Sequence, residues 1–105
     1  KGEVFPKPGC SSTYPRPCHP QPELYYYEFD KPQGFGVGFD GEQCFRVEDQ
    51  GCLAITPMNA HQQAAAPGYR MCYVWLIRHL EGDPWRKTRI VPPEHQWLDH
   101  SDYEK

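Results

Sequence analysis

Between Cys18 and Tyr27 the chain reads Cys-His-Pro-Gln-Pro-Glu-Leu-Tyr-Tyr-Tyr, which sets His19 and Glu23 four positions apart with Pro20 and Pro22 between them. Two prolines exclude a shared helical face, because each removes a backbone donor and clashes with the preceding turn. The segment is therefore extended, and His19, Gln21 and Glu23 point to one side of it. If that side is the interior, Glu23 is a buried carboxylate, which is costly unless it is paired or bound to a cation. His61, just beyond the Pro57-Met58-Asn59 turn, is the natural further ligand. Two neutral imidazoles and one carboxylate form the three-ligand set of catalytic zinc or ferrous iron, leaving positions open for water or substrate. Spacing on its own favours the plainer reading, a solvent-exposed His19 in a loop and a His61 that caps a strand end.

The elements that must position these residues are short strands. Twelve prolines and nine glycines are spread over 105 residues, leaving few windows long enough for a helix. Apolar and aromatic runs at residues 25–29, 35–39, 43–47, 52–55 and 70–79 read as strands, separated by turn signals that include Asp40-Gly41, Asp49-Gln50-Gly51 and Ala66-Pro67-Gly68. Asp40-Gly41 is the best hairpin signal, since it accepts the positive φ of a tight primed turn. A turn of helix is expected near residues 94–98. Gly34, Gly36 and Gly38 lack the spacing of a phosphate-binding loop and read as strand glycines.

Composition narrows the partners. A net charge of −3 with scattered Lys and Arg gives no electrostatic footprint for nucleic acid. No window approaches the roughly 20 apolar residues of a membrane helix, and the first residues carry no apolar signal-peptide core. Five widely spaced cysteines without a Cys-x-x-Cys pair indicate reduced thiols, not a disulfide framework or a zinc ribbon, which fits a cytoplasmic protein.

Several segments occur in the order found in one family. They are Glu23-Leu24-Tyr25-Tyr26-Tyr27, Lys31-Pro32-Gln33-Gly34-Phe35-Gly36, the turn Glu48-Asp49-Gln50-Gly51, His61, Ala65-Ala66-Pro67-Gly68-Tyr69 and Glu94-His95-Gln96-Trp97. In this order the sequence resembles the 5-deoxyglucuronate isomerase and 5-keto-4-deoxyuronate isomerase family of cupins, and specifically their carboxyl-terminal, metal-bearing domain. The resemblance implies an all-β fold: one small cupin (jelly-roll) barrel with an irregular proline-rich lead-in, a core over about residues 13–82 and a tail over 83–105.

It also implies metal-dependent aldose-ketose isomerisation of a deoxyuronate. Glu23 and His61 carry over as ligands, and His19 as the second histidine of a His-x-His pair whose first position is occupied by Pro17, so one ligand of the family set is missing. The expected cofactor is a divalent metal, zinc first, with manganese or iron as alternatives. Tyr25 and Tyr27 are the candidate catalytic proton carriers. A sugar acid needs a cation for its carboxylate: Arg46, Arg70 and Arg78 lie in predicted strands, Arg86 and Arg89 in the tail, and none stands out. Trp85 and Trp97 are of the type that stacks on sugar rings. A homodimer that covers an exposed sheet is expected. The alternative is a non-catalytic cupin that binds a small sugar acid or serves as a dimeric interaction module.

Overall fold

A computed structural model describes residues 1–11, 18–86 and 90–100. Tyr14, Pro15 and Pro17 of the lead-in, and Arg89 of the tail, lie outside the described residues. Seven strands are present: β1 Gly2–Val4, β2 Glu23–Phe29, β3 Phe35–Asp40, β4 Gln43–Glu48, β5 Cys52–Ile55, β6 His61–Ala65 and β7 Met71–Ile77. A 3₁₀ helix, Pro93–His100, ends the described chain close to the expected turn of helix.

The strands form two antiparallel sheets, one ordered β1-β7-β2-β5 and the other β4-β3-β6. This is an all-β jelly-roll-like sandwich, as the sequence implies. The two sheets are not hydrogen-bonded into a closed barrel among the described residues. Two strands escape the sequence reading. β1 is three residues long, and β6 is a run of His, Gln and Ala that lacks the β-branched and aromatic residues by which strands are recognised.

The hairpin forms one residue later than its sequence signal. Asp40 pairs with Gln43, so the two-residue loop is Gly41-Glu42, with Gly41 at φ +63°. Glycine at the first central position, in the left-handed region, is what a tight primed turn requires. Asp40 thereby becomes the last residue of β3 and turns inward, where it is buried.

The core is made of rings from one sheet set against glycines of the other. Tyr25 and Tyr27 of β2 join Met71 and Tyr73 of β7, Ile55, Val47 and Ala65 in one buried cluster. Gly36 and Gly38 of β3 face this cluster. A Cβ on Gly38 would lie 2.6 Å from Leu53 Cδ2 and 3.1 Å from the Tyr27 hydroxyl, and one on Gly36 would meet the Ala64 carbonyl and lie 2.5 Å from Met71 Cε. Strand glycines here admit bulky neighbours, which is the packing use expected of them.

One end of the interior is polar. The β3–β6 register pairs Asp40 with His61, Gly38 with Gln63 and Gly36 with Ala65, so the inner row of this sheet runs from charged to apolar. On β2 the inward residues run Glu23, Tyr25, Tyr27 in the same sense. Glu23 and His61 meet at this polar end.

Candidate metal centre

His19, Gln21 and Glu23 are all buried, at 7%, 5% and 6% exposure, but the segment is not extended throughout: it bends at Pro20 and Gln21, which brings His19 back to Glu23. His19 is fixed by its backbone: its carbonyl accepts from Met58 N at 2.9 Å, and the adjacent Cys18 pairs with Ile90 of the tail. Glu23 opens β2 in the four-stranded sheet, and His61 opens β6 in the other. Their side chains meet across the sandwich. Glu23 Oε2 lies 3.1 Å from His19 Nε2 and 2.9 Å from His61 Nε2.

The other ring nitrogens determine what these short contacts mean. His19 Nδ1 is 2.9 Å from the Gln21 carbonyl and His61 Nδ1 is 3.0 Å from the Asn59 carbonyl. A carbonyl oxygen only accepts, so both Nδ1 atoms carry protons and both neutral rings present Nε2 lone pairs to Glu23. Three acceptors at such distances are compatible only with positive charge among them, whether protons on the rings or a bound cation. Burial pushes the Glu23 carboxyl up, but the hydrogen bonds it accepts from His19 and His61, each of which needs a proton on Nε2, outweigh it and hold the pKa at about 2. The group is therefore ionised at neutral pH.

The donor set fits one metal ion. The three ligand atoms lie within 4.8 Å of one another, and an ion about 2.1 Å from each would hold them roughly 3.0 to 3.4 Å apart. The Nδ1–H···O=C bonds are the outer-shell contacts that fix tautomer and ring orientation in histidine metal sites. Cys18 does not join the set: its Sγ donates to the Ile90 carbonyl at 3.3 Å. All five cysteines are free thiols, as their spacing implies.

The two candidate tyrosines occupy different places. Tyr25 packs against His61 with ring centroids 5.9 Å apart, and its hydroxyl lies in the field of the Glu23 carboxylate. Burial and the Glu23 charge raise its pKa well above the ordinary phenolic value. Tyr27 is fully buried and donates to Gln63 Oε1 at 3.2 Å; burial raises its pKa too. Both therefore remain protonated.

Sequence reasoning missed Asp40, which it treated as a turn residue. Its carboxylate accepts from Thr56 N at 3.1 Å, Thr56 Oγ1 at 2.8 Å and Asn59 Nδ2 at 3.0 Å. Asn59 is the residue whose carbonyl orients His61, so Asp40 anchors the turn that aims the ring. An aspartate facing a Pro-Met-Asn turn is the kind of signal that could have revealed it, but only once the pairing of β3 with β6 is known.

Comparison with known proteins gives the family and the fold. The sequence model of the KduI/IolB family matches residues 1–98. The chain belongs to the KduI/IolB family. This is the 5-deoxyglucuronate isomerase family that its motifs resemble. Among solved structures, an IolB-like protein from Salmonella typhimurium LT2 superposes with a TM-score of 0.79 at 24% identity, over 92% of this chain and 41% of that one. At that identity the likeness shows the fold. This KduI/IolB chain thus spans about two-fifths of the length of that relative. No curated protein matches it in sequence. No helix among the described residues is long and apolar enough to cross a membrane.

Proposed function

We propose that the protein is a metal-binding cupin of sugar-acid metabolism that acts in aldose-ketose isomerisation of a deoxyuronate. The observation that carries this reading is the buried His19, Glu23 and His61 triad, whose facing lone pairs call for a cation, in a chain of the KduI/IolB family. His19, Glu23 and His61 would hold a divalent ion, zinc first, with manganese or iron as alternatives. Such an ion supplies Lewis acidity that polarises a substrate carbonyl and leaves open positions for its oxygens.

The protein's own residues divide the remaining work. Glu23, held ionised, and the two imidazoles with fixed tautomers form a rigid anionic cradle. Tyr25 stays protonated beside Glu23, so its part is to donate a hydrogen bond or proton to a substrate oxygen and not to abstract a proton from carbon. Tyr27, committed to Gln63, supports the core beneath. The same reading takes a small sugar acid as ligand, the cytoplasm as compartment and a homodimer as the working state.

A specific observation favours a second reading, a non-catalytic cupin that binds a small sugar acid. Three ligands converge where the family set resembled by the sequence has four, because Pro17 replaces the first histidine. Assay of the metal-loaded protein on 5-keto-4-deoxyuronate and on 5-deoxyglucuronate separates the two. Turnover that requires the metal supports the isomerase, and saturable binding without turnover supports the binding module. Absence of both, together with no metal uptake, would remove both readings.

A further inference from the structure

A cavity of about 230 Å³ adjoins the metal centre at His19 and is bounded by Pro20, Gln21, Asp83, Pro84, Trp85, Arg86 and Ile90. Pockets for drug-sized ligands run roughly 300–1,000 Å³, so this volume suits one end of a monosaccharide. Its walls are built from two distant parts of the chain. Gln21 Nε2 donates to the Asp83 carbonyl at 2.9 Å, and Cys18 pairs with Ile90, which holds the tail across the lead-in. Trp85 is wedged between Trp75, at 5.4 Å and 67°, and His19, at 6.3 Å.

Two features of the wall ask for a ligand. The indole Nε1–H of Trp85 is buried and has no acceptor, and an orphaned donor of this kind calls for a specific explanation. Arg86, exposed beside it, makes no ion pair among the described residues, and it is the one Lys or Arg of the cavity wall. Arg46 of β4, by contrast, is already engaged: it pairs with Glu48 at 2.8 Å and stacks over Phe35. The Asp83 carboxylate is exposed, and this residue gives the interior its carbonyl.

We propose that this cavity is the acid end of the ligand site: Arg86 pairs with the carboxylate of a uronate-class ligand, and Trp85 Nε1–H donates to one of its oxygens while the remainder of the sugar extends toward His19. A guanidinium offers the planar fork that a carboxylate matches, and the indole supplies an apolar wall with one fixed donor. The assignment deepens the sugar-acid reading above and rests on it. It also accounts for a tail held over the lead-in by backbone pairing, since that pairing brings Trp85 and Arg86 to His19.

The test is a titration of the ¹⁵N-labelled, zinc-loaded full chain with D-glucuronate and, separately, D-glucose, followed by indole N–H signals. Trp85→Phe identifies the Trp85 signal and keeps the ring packing on Trp75. The expected result is a saturable shift of the Trp85 indole by glucuronate, at least about tenfold weaker binding of glucose, and at least about tenfold weaker glucuronate binding in Arg86→Gln. Glucuronate binding that leaves the Trp85 indole unmoved, or that is as tight in Arg86→Gln as in the wild type, overturns this assignment while the sugar-acid reading stands. Failure of glucuronate to shift any signal of the zinc-loaded wild type overturns both.

Discussion

His61 Nε2 lies 2.9 Å from Glu23 Oε2, and this contact joins the two sheets of the sandwich at its polar end. Each residue is the first of its strand, so neither is placed by its own sequence neighbours alone. Because His61 Nδ1 is bound to a carbonyl, the contact is complete only with a proton or a cation on the Nε2 side. Elemental analysis of protein purified without chelator should give about one divalent ion per chain. Glu23→Ala and His61→Ala should each lower zinc affinity by more than about 100-fold, since even outer-shell losses cost about 10- to 100-fold. Metal content unaffected by both substitutions would place any ion elsewhere.

Asp40 acts on the centre through Asn59. Replacing it with Ala leaves Thr56 N, Thr56 Oγ1 and Asn59 Nδ2 without their acceptor. The expected cost is about 2–3 kcal/mol of stability and about 10- to 100-fold in zinc affinity. Asp40→Asn should recover part of both. Denaturant melts with a zinc competition titration measure the two effects separately, and a stability loss with unchanged zinc affinity would confine Asp40 to the fold.

The Glu23 pKa of about 2 has a direction in pH. A carboxyl whose folded pKa lies below its unfolded value contributes stability that is complete above the unfolded value, about 4.5, and is lost as pH falls toward 2. The metal-free wild type should therefore lose up to about 3 kcal/mol over that window, whereas Glu23→Gln should show a flatter profile. Metal retention should fail from higher pH, because protons compete for the imidazole nitrogens that bind the ion.

Tyr25 and Tyr27 differ in surroundings: Tyr25 feels the Glu23 charge and packs on His61, whereas Tyr27 is bonded to Gln63. Tyr25→Phe should retain zinc and lower kcat on a deoxyuronate by at least about 100-fold, the range of a lost acid-base group. Tyr27→Phe removes the donor to Gln63 and should cost about 1 kcal/mol of stability with kcat nearly unchanged. Equal kinetic effects of the two substitutions would contradict the division of roles.

The β3 glycines differ in what opposes them. A Cβ on Gly36 meets the Ala64 backbone carbonyl, whereas one on Gly38 meets first the end of the Leu53 side chain. Gly36→Ala should therefore destabilise by at least the 1–3 kcal/mol typical of overpacking, roughly, and Gly38→Ala by less. Leu53→Ala should partly rescue Gly38→Ala. Thermal melts of the two single variants and of the double variant read this order, and a more damaging Gly38→Ala would reverse the packing argument.

Much of the site was legible because its cues are local. Pro20 and Pro22 exclude a helix, but the contact of His19 with Glu23 comes from the bend at Pro20 and Gln21, since a fully extended chain would hold residues four apart about 13 Å from each other. The burial of Glu23 follows the aromatic Tyr25 and Tyr27 in the same alternation. The strands around Asp40-Gly41 were also legible, though the loop falls at Gly41-Glu42 because the pull of Thr56 and Asn59 on Asp40 is not a local matter. β6 was hidden, since His61-Gln62-Gln63-Ala64-Ala65 has no strand composition and is a strand only because β3 pairs with it.

The sequence by itself determined the all-β class, the alternation that puts Glu23, Tyr25 and Tyr27 on one side of β2 and the ordered motifs of the KduI/IolB family, because period, proline and composition act over a few residues at a time. Only the tertiary structure decided that His61 reaches Glu23, that Asp40 holds the turn that aims His61, and that Trp85 and Arg86 stand beside His19. Each of these contacts spans separate strands or the tail, and register, sheet facing and chain return are set by the packing of the whole core and not by any one stretch of it.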